Sequence, residues 1–339
     1  MPAEWEPHEA TWIAWPHQRF DWPGKFATIP WAYVEIVRHL HAAERVKILV
    51  NDAGTERKVR KMLQKAAVDL KQVEFFQFPT NRVWTRDFGP IFLKGQGGSI
   101  AMTDWKFNAW SKYPDWQLDN KIPARIQKKL KIPCWEPRSG QTRIVLEGGS
   151  IDVNGAGLLL TTEEGLLDTI QARNPELNRA DLELAFRDYL GIDKVLWLGR
   201  GIAGDDTHGH IDDIARFAGP HTIVAAVELN PSDDNYKALQ DNLQRLKAMT
   251  DLEGKHFDII ELPLPAPLWF DGRRLPVSYV NFYIANDRLL VPTFNDPADR
   301  IALGILADVF PDRKVIGIHS VDLAWGLGTL HCLTQQQPR

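Results

Sequence analysis

Four stretches of this chain are built alike. RDFGPIFLKGQGGSIAMTDW, EGGSIDVNGAGLLLTTEEG, GHIDDIARFAGPHTIVAAVE and NFYIANDRLLVPTFND each read as strand, turn, strand. Asn154-Gly155 is a strong hairpin signal, and Gly219-Pro220 and Asn286-Asp287 mark two other turns. Helical periodicity follows three of the hairpins. It runs through Leu182, Ala185, Phe186 and Tyr189, then Tyr236, Leu239, Leu243 and Leu246, then Ile301, Ile305 and Val309. Ser232 is a cap candidate for the second of these helices and Pro297 precedes the third. Single strands are expected after them at 194–198, 257–262 and 314–319. The N-terminal part alternates in the same way. An apolar run at 10–15 is followed by a helix through Tyr33, Ile36, Val37 and Leu40, and by a strand at 46–50. A second helix with Val59, Met62 and Leu63 leads to a strand at 73–78. A hairpin-helix-strand unit recurring every roughly 50–70 residues is the signature of a repeat architecture. About five units fit, so the expected fold is α/β, a five-fold pseudosymmetric α/β propeller. No linker rich in Pro, Gly or Ser divides the chain, so one domain over residues 1–339 is expected. The last strand, around Cys332, is expected to complete the first hairpin.

Composition closes off several function classes. Hydrophobic content of 44% with 25% charged residues is that of a soluble globular protein. A net charge of −4 implies no basic face for nucleic acid. No stretch approaches the roughly 18–20 apolar residues a membrane helix needs. The start, MPAEWEPHEATW, lacks the pattern of a secretory signal. Two cysteines, Cys134 and Cys332, form no disulfide framework, so a reducing, cytoplasmic setting is expected. The 13 tryptophans suit core and rim packing, and their rings also suit cations.

The unusual polar residues fall at the hairpin starts, which in a ring of such units point to the centre. Trp84-Thr85-Arg86-Asp87 opens one hairpin, and Glu147-Gly148-Gly149 the next. The run from Asp205 to Asp213 opens the third, Tyr279-Val280-Asn281 the fourth, and Cys332 the last. Each alone suits a helix cap or a solvated turn. Five in register do not, because buried carboxylates cost several kcal/mol unless paired or ligand-bound. Cys332 lies in GLGTLHCLTQQQP, a strand-like apolar run broken by Gly326 and Gly328 and ended by a polar tail. A core strand has no need of that tail, and glycine there admits a close backbone approach. On a strand His331 would point away from the face Cys332 uses. His208, His210 and Asp212, spaced by two, would share a face, with Asp213 on the other. His210 is the better base candidate; His208 is either substrate-facing or a rim residue.

Two chemistries fit this run. His-x-His-x-Asp resembles the opening of the zinc motif in metallo-β-lactamase-type hydrolases, but Asp213 stands where a further His is expected. Zinc needs three or four ligands in tight geometry, and the other histidines are scattered. The second chemistry is covalent, with a thiolate attacking an electrophilic carbon and a His moving protons. Three carboxylates, Asp87, Glu147 and Asp212, around one thiol would raise its pKa. That arrangement suits a substrate that brings its own positive charge, such as a planar guanidinium with five N–H donors.

These residues resemble the agmatine deiminase and bacterial peptidyl-arginine deiminase family, within the guanidino-modifying penteins. The matching stretches are MPAEWEPHEATWIAWP, VWTRDFGP, LEGGSIDVNGAGLLLTTE, RNPEL, GDDTHGHIDDIARF, SYVNFYIAN, VPTFNDPAD and LHCLTQQQP. They stand in family order over essentially the whole chain. The resemblance implies Cys332 as nucleophile, His210 as general acid/base, Asp87 and Asp212 as guanidinium carboxylates, and Glu147 in the same site. It implies substrate contacts at Trp84, Arg86, Asp206, His208, Asn281 and Gly328, with no metal and no cofactor. The implied reaction is hydrolytic deimination, agmatine to N-carbamoylputrescine and ammonia, which belongs to putrescine and polyamine metabolism. The implied partner is a small cationic guanidino substrate, without nucleic acid or membrane, and a homodimer is compatible with it. Arginine in peptides or another small guanidine is the alternative substrate; a zinc hydrolase is the alternative class. A non-catalytic pentein would lack Cys or His, and an amine acceptor in place of water would make an amidinotransferase. Two departures lie near the pocket. Gly326-Leu327-Gly328-Thr329 stands where agmatine-specific members commonly have Gly-Gly-Gly-Asn, and His208 where Asn or Asp is common.

Overall fold

The computed structural model describes residues 1–339, apart from the side chain of Gln96. Five sheets repeat one construction, an antiparallel hairpin extended by a parallel strand. In the second sheet Ile91–Lys94 and Ile100–Thr103 pair antiparallel, and Cys134–Trp135 adds in parallel. The third joins Asp152–Val153, Leu158–Thr162 and Lys194–Leu198 in the same way. The fourth joins Ala215–Phe217, Thr222–Val227 and Asp258–Pro263. The fifth joins Tyr283–Ile284, Arg288–Thr293 and Lys314–His319. The first closes the chain on itself: the C-terminal strand Gln335–Pro338 lies antiparallel to His8–Ala14, beside Arg45–Leu49 and Val73–Phe76. This is the five-unit α/β propeller expected from the repeat.

A parallel strand needs a crossover, and a helix supplies it. Arg179–Leu190 starts in a capping box between Asn178 and Asp181 and stops at Gly191 in the left-handed region. Pro297–Val309 has a second capping box, Asp296 with Asp299. Tyr236–Ala248 begins after Asn235, not at a Ser232 cap. In Pro297–Val309 the core face holds Ala302 and Leu306, while Ile301 is exposed. Helix Ile122–Leu130, in the second unit, was not expected; Ile122, Pro123 and Ile126 are its buried positions.

The largest correction concerns the C-terminus. The apolar run before Gln335 is not a strand: Val321–Ala324 is a short helix and turns follow through Cys332. The strand is the polar tail itself. Its glutamines are buried and each finds a partner. Gln335 donates to the Pro90 carbonyl at 2.8 Å, Gln336 accepts from Arg86 at 2.6 Å, and Gln337 accepts from Trp12 and Lys47 at 3.0 and 2.9 Å. A buried polar side chain is tolerated when it is hydrogen-bonded, so polarity did not forbid a core strand here. Among the described residues no helix is long and apolar enough to cross a membrane.

Candidate active site

Each unit delivers a segment to one place just before the first strand of its hairpin. These segments are short helices and turns, not strand ends. Asp87 sits in the helical turn Thr85–Phe88, Glu147 precedes the 3-10 turn Gly148–Ser150, and Asp212 lies in the 3-10 turn Ile211–Asp213. In the third segment the Asp205 carboxylate accepts from the amides of Thr207 and Gly209, at 2.8 and 2.7 Å. That clasp holds His208 at φ 63° and Gly209 at φ 94°. The run is therefore a tight turn, and the period-two face expected for His208, His210 and Asp212 does not exist. His208 turns outward to Asp168, 3.4 Å away, while His210 and Asp212 turn inward.

The inward groups converge. Asn281 Nδ2 donates to Cys332 Sγ at 3.2 Å, and Asp212 Oδ2 is 3.7 Å from the same sulfur. His210 lies between two carboxylates, Nδ1 3.7 Å from Asp87 and Nε2 3.6 Å from Glu147. Gly149 sits against His210, Asp87 and Asp212. A Cβ there would come 2.6 Å from His210 Nδ1, 2.8 Å from Asp87 Oδ1 and 3.1 Å from Asp212 Oδ2, so only glycine fits. Gly328 backs onto the ring of Trp84 and onto Cys332 in the same manner, at 2.7 and 3.2 Å.

A cavity of about 260 Å³ opens onto this cluster. Cys332, Asp87, Trp84, Trp110 and Asp206 line it, and Leu327 and Trp325 stand at its side. His210, Asp212, Glu147 and Asn281 stand behind that lining, fully buried. Both ring nitrogens of His210, Glu147 Oε2 and Asp212 Oδ1 are buried with no hydrogen-bond partner. The two carboxylate oxygens are costly in an interior unless a ligand rich in N–H groups meets them, while the imidazole nitrogens face Asp87 and Glu147.

Electrostatics divides the labour. Burial works against a charge on His210, yet Asp87 and Glu147 outweigh it and push its pKa up to about 9. Burial, opposed by His210 and reinforced by Asp212 and Glu147, raises Asp87 to about 7. Glu147 is pulled down to about 2: burial opposes the charge, and the Arg173 guanidinium overrides it. Asp212 is likewise held low against burial by the hydrogen bond from His331. Burial, then Asp212, Asp213 and Asp87, push the Cys332 thiol well up.

Sequence reasoning missed the groups that hold this shell. Arg173 Nε donates to Glu147 at 3.1 Å, and its far end reaches the Thr207 carbonyl. It lies in the RNPEL stretch, one of the family-matching motifs. Trp110 Nε1 donates to Asp87 Oδ2 at 3.0 Å. His331 places Nδ1 2.7 Å from Asp212 and Nε2 2.9 Å from Glu4, so it braces Asp212 and does not face the thiol. Arg86 does not enter the cavity; it bonds Glu4 at 3.0 Å and Gln336 at 2.6 Å beneath the floor. Asp206 does line the cavity, but Lys112, Tyr113 and Arg273 all bind it. The zinc reading fails on convergence. Among the described residues, the triad close enough to share an ion is Glu164, Asp168 and His208, and it contains neither His210 nor Asp212.

The family model for Porphyromonas-type peptidyl-arginine deiminases matches residues 1–338. The chain belongs to that family. Agmatine deiminase of Pseudomonas fluorescens (strain SBW25) is 35% identical to it, over 100% of this chain and 95% of the relative. The solved agmatine deiminase of Enterococcus faecalis superposes with a TM-score of 0.91 at 32% identity, covering 100% of this chain and 95% of the other. A substrate-bound agmatine deiminase of C. jejuni gives 0.88, also at 32% identity, covering 100% and 96%. As a member of this deiminase family the chain is a hydrolase, and its cavity is to be judged against guanidine chemistry.

Proposed function

We propose that the protein hydrolyses the guanidino group of agmatine, giving N-carbamoylputrescine and ammonia. The observation that carries this reading is the pair of buried, partnerless carboxylate oxygens on Asp212 and Glu147 beside Cys332 and His210. A guanidinium presents five N–H donors in one plane and a carbon at its centre. Bound there, its charge offsets the carboxylates that keep the thiol protonated, and the thiol proton leaves as the cation enters. The Cys332 thiolate attacks the guanidinium carbon. Asp87 and Asp212 hold the nitrogens, and protonated His210 gives its proton to the departing nitrogen, which leaves as ammonia. A thiouronium remains on Cys332. Water then attacks the same carbon, His210 takes its proton, and collapse of the adduct releases the ureido product and the free thiol.

The full-length likeness to agmatine deiminases supports agmatine over other guanidines. Ammonia release from agmatine, free arginine, an arginyl peptide and methylated arginine tests the choice. Agmatine is expected to have the highest kcat/KM, and a higher value for the peptide would overturn the substrate assignment.

A further inference from the structure

Three carboxylates line the cavity: Asp87 at the floor, Asp206 and Asp21 further out. Their hydrogen bonds are not alike. Asp87 accepts from the Gly149 amide at 3.1 Å and from Trp110 at 3.0 Å, one on each oxygen. Asp206 Oδ1 accepts from Lys112 at 2.6 Å and Arg273 at 2.9 Å, and its Oδ2 from Tyr113 at 2.6 Å. Asp21 Oδ1 accepts from Arg82 at 2.6 Å. Asp21 Oδ2 is buried and, among the described residues, accepts from nothing. The Asp21 side chain is only 2% exposed, and Asp21 is one of the residues lining the cavity.

The charge count points the same way. Asp206 is bound by two cations, Lys112 and Arg273. Arg82 instead is shared by two carboxylates, Asp21 and Asp115. The first group has a surplus positive charge, and the second a surplus negative one once Asp21 is ionised. Asp21 also lies near the reacting centre. Asp21 and Cys332 line the same cavity. Burial, resisted by Arg82, lifts Asp21 itself to about 7, as expected for a carboxylate one donor short.

We infer that Asp21 Oδ2 receives a second positive charge of the substrate, an ammonium at the far end of the alkyl chain that carries the guanidinium. The inference rests on the deimination reading and adds to it the residue that reads the tail. It also assigns the role away from Asp206, whose oxygens are already taken. An ammonium there would give Oδ2 a charge-assisted donor and cancel the surplus charge of the Asp21–Arg82–Asp115 group.

The test compares agmatine with n-pentylguanidine, in which a methyl replaces the ammonium, by ammonia release from the full-length protein. The wild type is expected to favour agmatine. Asp21→Asn is expected to lower kcat/KM for agmatine about tenfold or more, chiefly through KM, and to change n-pentylguanidine by less than about twofold. An equal fall on both compounds, or an unchanged agmatine value, overturns the inference. So does a tail preference that disappears in Asp206→Asn but survives in Asp21→Asn. If Asp21→Asn melts early, Asp21→Ser is put through the same comparison. A wild type that deiminates both compounds equally overturns this inference alone; one that deiminates neither overturns the proposed function as well.

Discussion

Cys332 and Cys134 sit in different settings. Cys332 is buried beside Asn281 and Asp212, whereas Cys134 is half-buried on the strand next to Met102, with burial pushing its thiol up to about 11. Cys332→Ser is expected to abolish ammonia release, and Cys134→Ser to leave it largely intact. Mass spectrometry during turnover of a slow guanidine should find the adduct on Cys332; one on Cys134 would refute the assignment. Asp87 offers a second test through its effect on two neighbours. It helps raise both His210 and Cys332. Asp87→Asn should cut kcat/KM at least about tenfold, since a charge-assisted hydrogen bond to the guanidinium is lost. Protonated His210 is needed to expel ammonia, so activity should fall as pH rises through about 9. In Asp87→Asn that alkaline limb should move to lower pH, because the carboxylate that favoured the imidazolium is gone. Alkylation of Cys332 by a neutral reagent at pH above about 7, where Asp87 is ionised in the wild type, should become faster. If deimination and alkylation slow together, Asp87 is structural.

The elements that carry the site are short turns, and their shape is enforced by contacts instead of periodicity. Gly148–Ser150 passes so close to His210 and Asp87 that a single methyl group would displace both. Gly149→Ala should therefore lower kcat about a hundredfold or more, the scale expected when reacting groups move by about 1 Å. Its circular dichroism should stay that of the wild type, and activity within about tenfold of the wild type would mean the turn has slack that the distances deny. Most helices and outer strands were legible from periodicity, because a 3.6 or 2.0 repeat is written locally. The site turns were not. Their glycines, Asx clasps and left-handed residues follow from what they must fit around, and His208 was read on a strand face for that reason.

At the scale of the molecule the decisive event is closure. Gln335–Pro338 pairs with His8–Ala14 and supplies Gln336 to Arg86, which also holds Glu4 beneath the floor. Removing residues 335–339 opens the first sheet and leaves Arg86 short of a buried partner. We expect the deletion to destroy the cooperative transition, whereas the intact chain should melt in one step as a single domain. A truncated protein that melts cooperatively near the wild-type temperature would show that the ring does not depend on its last strand.

The sequence by itself determined the repeat, the five-fold plan, and the register that puts one candidate site residue at each hairpin start. Those features are local patterns multiplied by repetition, so they survive without knowledge of what touches what. It also carried the family resemblance, in motifs whose order the structure keeps. Tertiary structure alone decided which groups brace the site. Glu4 meets His331 across 327 positions of chain, His331 meets Asp212 across 119, and Arg82 meets Asp21 across 61. It alone left Asp21 Oδ2 without a donor while filling every oxygen of Asp206. The same holds for the polar tail, which looked unfit for the core. Whether a buried polar group is stable depends on its partners, and for Gln335, Gln336 and Gln337 those partners come from distant segments that only the folded chain brings to them.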